Sequence, residues 1–401
     1  MTLFSAIFTR ALSSRNYRLY FAGQLVSLAG TWMQQIAMVW LAWRLSNSAQ
    51  VLGIVGFASQ IPILFLGPFT GVLTDRFDRR RILLATQSVA MLQALLLATL
   101  TWQQWVSPAW LIGLAFVLGC INALDVPARQ AFSVQLVDDR ADLPNAIALN
   151  SLLMNSARFV GPALAGLAVA AFGEAWCFVM NAASYLAVLA ALTAIDAQSP
   201  KVVHPSALAA FRDGLAYALG HPGIRTRLIV VAAVSFLVTP YAVLMPLYAS
   251  EIFHGDARTY GFLIGCAGAG SLLSGLQLAS RRHTEGLTKR ITVAVVVAGI
   301  ALALFAVNPW LPPAYLIVMA LGFAVITVIA GSNTLIQVWV EDAYRGRVMA
   351  IFSMAFLGIA PLGSIAVGHL AHWLGVQPVL FGCGLATLLV GLLARRRESN
   401  S

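Results

Sequence analysis

Apolar residues run along this chain in blocks of about 20 or more, separated by short polar connectors rich in arginine. A helix rises about 1.5 Å per residue, so a block of that length crosses the hydrocarbon core of a bilayer. The blocks predict twelve helices, at 17–43, 50–74, 82–103, 109–136, 146–172, 175–195, 226–250, 258–280, 290–307, 313–340, 347–373 and 377–394. The first block is too long for a signal-peptide core and lacks a small-residue cleavage site, so it is expected to stay as the first span.

Composition agrees with this pattern. Of 401 residues, 60% are apolar and 10% charged, against about 45–50% and about 25% in soluble domains. A water-soluble enzyme is excluded, and no room remains for a large domain outside the membrane. Only Lys201 and Lys289 are lysines. Neither follows glycine or precedes a hydroxyl residue, so a phosphate-binding loop is absent, as is an Asp-Lys-Thr-Gly site, and ATP hydrolysis in this chain is excluded as its engine. The net charge of +10 lies in clusters between apolar runs, which speaks for membrane orientation and against nucleic-acid binding. Cys120, Cys177, Cys266 and Cys383 all lie inside apolar runs and read as packing residues.

Of the 25 basic residues, 21 fall on one side of the predicted spans, in the loops around Arg15, Arg79, Arg140, Arg212, Arg281, Arg345 and Arg395. Arg44 and Arg258 fall on the other side, and Arg129 and Arg158 within spans. The positive-inside rule makes the rich side cytoplasmic, with both termini there. The two halves resemble each other at an offset near 200 residues: Gly71 matches Gly275, Gln135 matches Gln337, and Gly161-Pro162 falls opposite Ala360-Pro361. That is a duplicated six-helix unit. It divides the chain into 1–195, a linker at 196–225, and 226–401. Leu208, Phe211, Leu215 and Leu219 repeat at helical spacing in the linker, predicting a short helix on the cytoplasmic interface; a plain tether is the alternative.

The connection between spans 2 and 3 reads Gly71-Val-Leu-Thr-Asp75-Arg76-Phe-Asp78-Arg79-Arg80-Arg81. It resembles the signature Gly-x-x-x-Asp-Arg-x-Gly-Arg-Arg/Lys of the major facilitator superfamily. Gly71, Asp75, Arg76, Arg79 and Arg80 fit, and Asp78 stands where the family usually has glycine. Asp75 at a helix end can accept from basic side chains and from the positive N-terminus of the eleventh span near Arg345. The resemblance implies a cytoplasmic gate here; a merely topogenic loop is the rival reading. The second half lacks the acid, with Ala279 at the matching place.

Span 4 contains Asn122, Asp125, Pro127 and Arg129. A charge at the centre of an inserted helix costs about 2.5–3.5 kcal/mol, so each needs a partner, water or a function. Asp125 and Arg129 are one turn apart and can pair with each other. Pro127 removes an amide donor and bends the helix, and Arg129 can instead reach toward the cytoplasmic end and serve Asp75. Span 5 contains Asn155, Arg158, Gly161, Pro162, Ala165 and Gly166. Its Gly-Pro-x-x-Ala-Gly stretch resembles the Gly-Pro-x-x-Gly-Gly element of proton-coupled exporters in the superfamily, with Ala165 replacing one glycine; tight packing alone also explains the small residues. Arg158 lies near the depth of Asp125, which leaves a buried Asp125–Arg158 pair open as well.

The opening stretch from Arg15 to Gln35, with Pro127-Ala-Arg-Gln-Ala131, is similar to the branch containing the enterobactin exporter and macrolide efflux proteins. The resemblance covers essentially the whole chain. It implies twelve transmembrane helices in two pseudo-symmetric bundles and export of a small amphipathic compound by proton antiport. It also implies a bacterial inner-membrane location and a monomer. A facilitator or importer of the same fold, and a polytopic enzyme or scaffold, are the rivals. Gln34, Gln35, Asn333 and Gln337 are costly inside spans; they face either a polar cavity or neighbouring helices. With Asp125, Arg158, Asn122 and Asn155 they form the candidate proton and substrate cavity. Trp43, Trp102, Trp105, Trp110 and Trp310 read as an interface belt. His369 and His372 share a face but have no carboxylate beside them, so no metal is expected. No cofactor is called for, and no hydrolase motif appears.

Overall fold

The computed structural model describes residues 11–137, 139, 142–195, 207–280, 284–341 and 344–399, which are helical with no strand among them. The first half contains α1 (Arg15–Ser46), α2 (Ala49–Arg76), α3 (Arg79–Trp102), α4 (Pro108–Gln135), α5 (Leu143–Phe172) and α6 (Glu174–Ala194). A linker helix α7 (Ala207–Gly220) leads to the second half: α8 (Pro222–Leu237), α9 (Tyr241–Leu247), α10 (Ala257–Ala279), α11 (Leu287–Val307), α12 (Leu311–Trp339), α13 (Arg345–Ser353), α14 (Ile359–Leu374) and α15 (Val376–Ser399). Eleven helical segments among the described residues are long and apolar enough to cross a membrane, and α5, apolar over Ser156–Phe172, is the twelfth span.

Two spans are interrupted where the sequence suggested continuous helix. The seventh runs through α8, breaks at 238–240, and resumes as α9 and a wide π turn at Tyr248–Ile252. Pro240 and Pro246 each remove a backbone donor there. In the eleventh, a π turn at Met354–Gly358 joins α13 to α14 just ahead of Pro361, which cannot donate to the preceding turn. α3 starts at Arg79 because Asp78, the departure from the family glycine, caps it: its Oδ1 accepts from the Arg81 amide at 3.0 Å.

The duplication is visible in the backbone. Gly173 closes α5 at φ 82° and Gly375 closes α14 at φ 84°, each with its amide donating to the carbonyl four residues back. A side chain at either place would be strained.

The halves meet along two helix pairs, α5 with α10 and α2 with α14. A Cβ at Gly166 would lie 2.5 Å from the Ala257 carbonyl oxygen, and one at Gly261 2.5 Å from that of Pro162. Across the other seam, a Cβ at Gly53 would sit 2.6 Å from the Ser364 oxygen, and one at Gly368 2.7 Å from the Gly53 Cα. These contacts all lie toward the end opposite the arginine-rich loops. At about 100° per residue, Gly275 falls on the same face of α10 as Gly261 and Gly268, and Gly67 on the same face of α2 as Gly53. Among the described residues, a Cβ at Gly67 or at Gly275 meets nothing within 4 Å. The close glycine contacts of the two pairs thus run from the end opposite the basic loops to about Gly268 and Gly358, and none among the described residues is made at Gly67 or Gly275.

At the basic end α7 docks on α13. Tyr217 stacks on Tyr344 with centroids 4.3 Å apart, Asp213 approaches Arg347 at 3.7 Å, and a Cβ at Gly214 would lie 2.6 Å from that of Arg347. Leu219 is left exposed, so packing on α13 rather than the leucine face alone positions the linker helix.

Candidate functional site

Asp125 in α4 is 2% exposed and fully engaged. Its Oδ1 accepts from Thr86 Oγ1 at 2.8 Å and Gln87 Nε2 at 2.7 Å, both on α3. Its Oδ2 lies 2.9 Å from Arg129 Nη2. Arg129 also donates through Nη1 to Gln24 Oε1 on α1 at 3.4 Å. One charge pair thus ties three helices of the first half. Pairing two charges in a dry interior stabilises little by itself, but removing one leaves the other uncompensated at about 3–5 kcal/mol.

Arg129 takes the carboxylate one turn away on its own face, and Pro127 between them does not prevent it; the side chain of Asp75, the other partner expected for it, lies outside the described residues. The alternative Asp125–Arg158 pair is not formed. Arg158 makes no hydrogen bond or ion pair with a described residue.

A second polar cluster holds α1, α3 and α6 together. Gln34 is 1% exposed; its Nε2 donates to Gln93 Oε1 at 2.8 Å, and its Oε1 accepts from Asn181 Nδ2 at 2.7 Å. Gln93 in turn donates to the Leu114 carbonyl at 3.2 Å. Gln34 is therefore a link between helices, which corrects its assignment to the cavity; Gln35 beside it is exposed. In α12, Gln337 donates to Asn333, and Asn122 in α4 is half-buried.

Among the gate residues, the side chains of Gly71, Asp75 and Arg76 lie outside the described residues, as does that of Asn155. Arg79 is half-buried. Arg80 donates to the carbonyls of Leu192 at 2.6 Å and Thr193 at 3.0 Å, capping the C-terminus of α6. The α5 stretch is the seam itself. A Cβ at Gly161 would lie 2.6 Å from that of Trp32 on α1, while the Pro162 carbonyl and Gly166 face α10.

The end opposite the basic loops is closed by aromatic contacts that the motifs did not suggest. Trp43 is buried and donates through Nε1 to Ser250 Oγ at 2.7 Å, joining the halves, so it leaves the interface belt. Trp102, Trp105, Trp110 and Trp310 are exposed. Trp40 stacks on Tyr260 at 6.1 Å. Nearby, Arg44 binds Glu174 at 2.8 Å within the first half. Thr86, Gln87, Gln93 and Gln24 were the other residues missed, and their polarity inside apolar runs was the available signal. The described residues hold no group of three or more metal-ligating side chains. A groove of about 490 Å³ lined by Gln277, Lys289, Val293 and Phe323 lies on the flank of the second half, away from Asp125.

Residues 9–399 match the family model described as transmembrane secretion effector. The chain belongs to that family, within the major facilitator superfamily. It is 24% identical over 378 residues to the staphyloferrin A transporter of Staphylococcus aureus (strain NCTC 8325 / PS 47), covering 93% of this chain and 94% of that protein. It is likewise 24% identical over 375 residues to macrolide efflux protein A of Streptococcus pyogenes, covering 90% and 92%. In fold it resembles the crystal structure of a bacterial homologue of the iron transporter ferroportin in an inward-facing state, with TM-score 0.72 at 15% identity over 95% of this chain and 98% of that one. The chain is thus a multi-pass membrane transporter of an efflux family and not an enzyme.

Proposed function

We propose that this chain exports a small amphipathic compound across a bacterial inner membrane by alternating access, in exchange for protons. The observation that supports this reading is that the two helix pairs touch at Gly53–Gly368 and Gly166–Gly261, whereas a Cβ at Gly67 or Gly275, nearer the basic end, meets no described residue within 4 Å. Under the positive-inside rule the basic end is cytosolic, so the space between the halves opens to the cytosol, where an export substrate enters. Small backbone-to-backbone contacts let the pairs rock.

Asp125 is the proton carrier in this reading. Arg129 and the α3 donors hold its carboxylate in this conformer; a shift that moves α4 against α3 takes away Thr86 Oγ1 and Gln87 Nε2, and the loss of those donors favours the protonated form. A permanent ion pair that only holds the first half together is the competing role.

Everted vesicles bearing the chain, acidified inside, test the proposal with a panel of antibiotics and siderophores in a strain lacking other pumps. Accumulation that collapses with the proton gradient is expected. Flux that merely equilibrates identifies a facilitator, and absence of any flux sinks the transport reading.

A further inference from the structure

Arg158 sits in the middle of the 30-residue α5. Its place around the helix decides where it points. The lipid-facing stripe of α5 contains Val160, Leu164 and Leu167, all strongly exposed. Phe159, Pro162, Ala163 and Gly166 face α10. At about 100° per residue, Arg158 falls well away from the lipid stripe, on the face of Gly161, which packs on Trp32, and of Ala165, which is 0% exposed in the core. Toward the basic end the same face continues through Met154 and Ile147, 40% and 52% exposed. That face, opposite the lipid stripe, is buried at Gly161 and Ala165 and exposed at Met154 and Ile147, where Ile147 lines a small cleft with Gln130 and Ser133 of α4. Arg158 is half-buried at the point of transition.

The charge around it is one-sided. Asp125 is the only acidic residue among the described ones that lies within a span and away from its ends, and Arg129, Thr86 and Gln87 occupy it. Arg158 has no hydrogen-bonding or ionic partner among the described residues. A cation at mid-membrane depth needs a counter-charge, water or a ligand, and a planar guanidinium suits a carboxylate or phosphate held by two parallel hydrogen bonds.

We infer that Arg158 is the recognition point for an anionic group, a carboxylate or phosphate, on the exported compound, with the apolar walls taking the rest of it. The inference rests on the transporter reading and names its substrate class.

Three probes of one skeleton test it: 2-naphthylacetate, 2-naphthylethanol and 2-naphthylethylamine, bound to the full chain in nanodiscs and read by tryptophan fluorescence. The wild type binds the acetate about tenfold or more tightly than the other two. Arg158→Gln abolishes the preference while keeping the affinity for the alcohol, which shows the site intact, and Arg158→Lys keeps part of it. Equal binding of the three probes, no binding of any, or a preference that survives Arg158→Gln overturns the inference. Flux in proteoliposomes separates this from the underlying reading. Transport without charge preference overturns the anion site alone, whereas anion binding with no flux of any probe overturns the transporter reading and leaves the site.

Discussion

Arg129 Nη2 and Asp125 Oδ2 lie 2.9 Å apart on one face of α4, with Pro127 between them. The pair is the charged centre of the first half, and its two proposed roles separate experimentally. Asp125→Asn and Arg129→Gln each strand a buried charge or its donors and should cost about 3–5 kcal/mol. The double variant Asp125→Asn/Arg129→Gln should recover most of that, as read by thermal melting in detergent. If the acid carries the proton, pH-driven export stays absent in the stable double variant; export near the wild-type rate would leave only the structural role.

Closing contacts at the seam predict a population shift. Gly261→Val places branched carbons where the Pro162 carbonyl and the Gly166 backbone already sit, so the conformer with that end closed is disfavoured. Gly275→Cys, at a position half-buried in the wild type, should then react several-fold more slowly with a membrane-impermeant maleimide added to the basic side. Unchanged labelling would mean that the seam does not govern the opening.

Gln34→Leu strands Asn181 Nδ2 and Gln93 Oε1, both buried. A loss of about 1–3 kcal/mol of stability is expected, seen as a lower melting temperature with substrate selectivity intact. A change in selectivity without a change in melting would return Gln34 to the cavity.

Arg80→Ala removes two hydrogen bonds to the end of α6, about 1.5–3 kcal/mol each for a charged donor before solvent screening reduces it. Stability should fall while labelling at position 275 stays as in the wild type. Asp75→Asn is expected to do the reverse, raising cytoplasmic accessibility with little change in melting.

The twelve spans were legible in the sequence because a bilayer demands long apolar runs, and the duplication because Gly71, Gln135 and Gly161-Pro162 recur near 200 residues on; the matching turns at Gly173 and Gly375 came from the backbone. The partner of Asp125 was not legible. Arg129 by helical spacing and Arg158 by depth satisfy the same one-dimensional arithmetic, and only the rotation of α5 separates them. Thr86 and Gln87 come from a different helix, whose register against α4 is set by packing. Trp43 stands where belt tryptophans stand, and only the approach of Ser250 from the other half reveals its use. The breaks at Pro240 and ahead of Pro361 were written in the prolines, but an apolar run hides them from a hydropathy window.

At the closed end, every ion pair among the described residues stays within one half: Arg44 with Glu174, and Arg258 with Asp256. What crosses between the halves there is glycine backbone contact, apolar packing such as Val243 against Gly56, one indole hydrogen bond and one aromatic stack. Such a latch has no charges to rehydrate when it opens and none for dissolved ions to shield. Ionic strength should therefore leave the release of this end untouched, and any salt dependence of the transport cycle traces to the arginine-rich end.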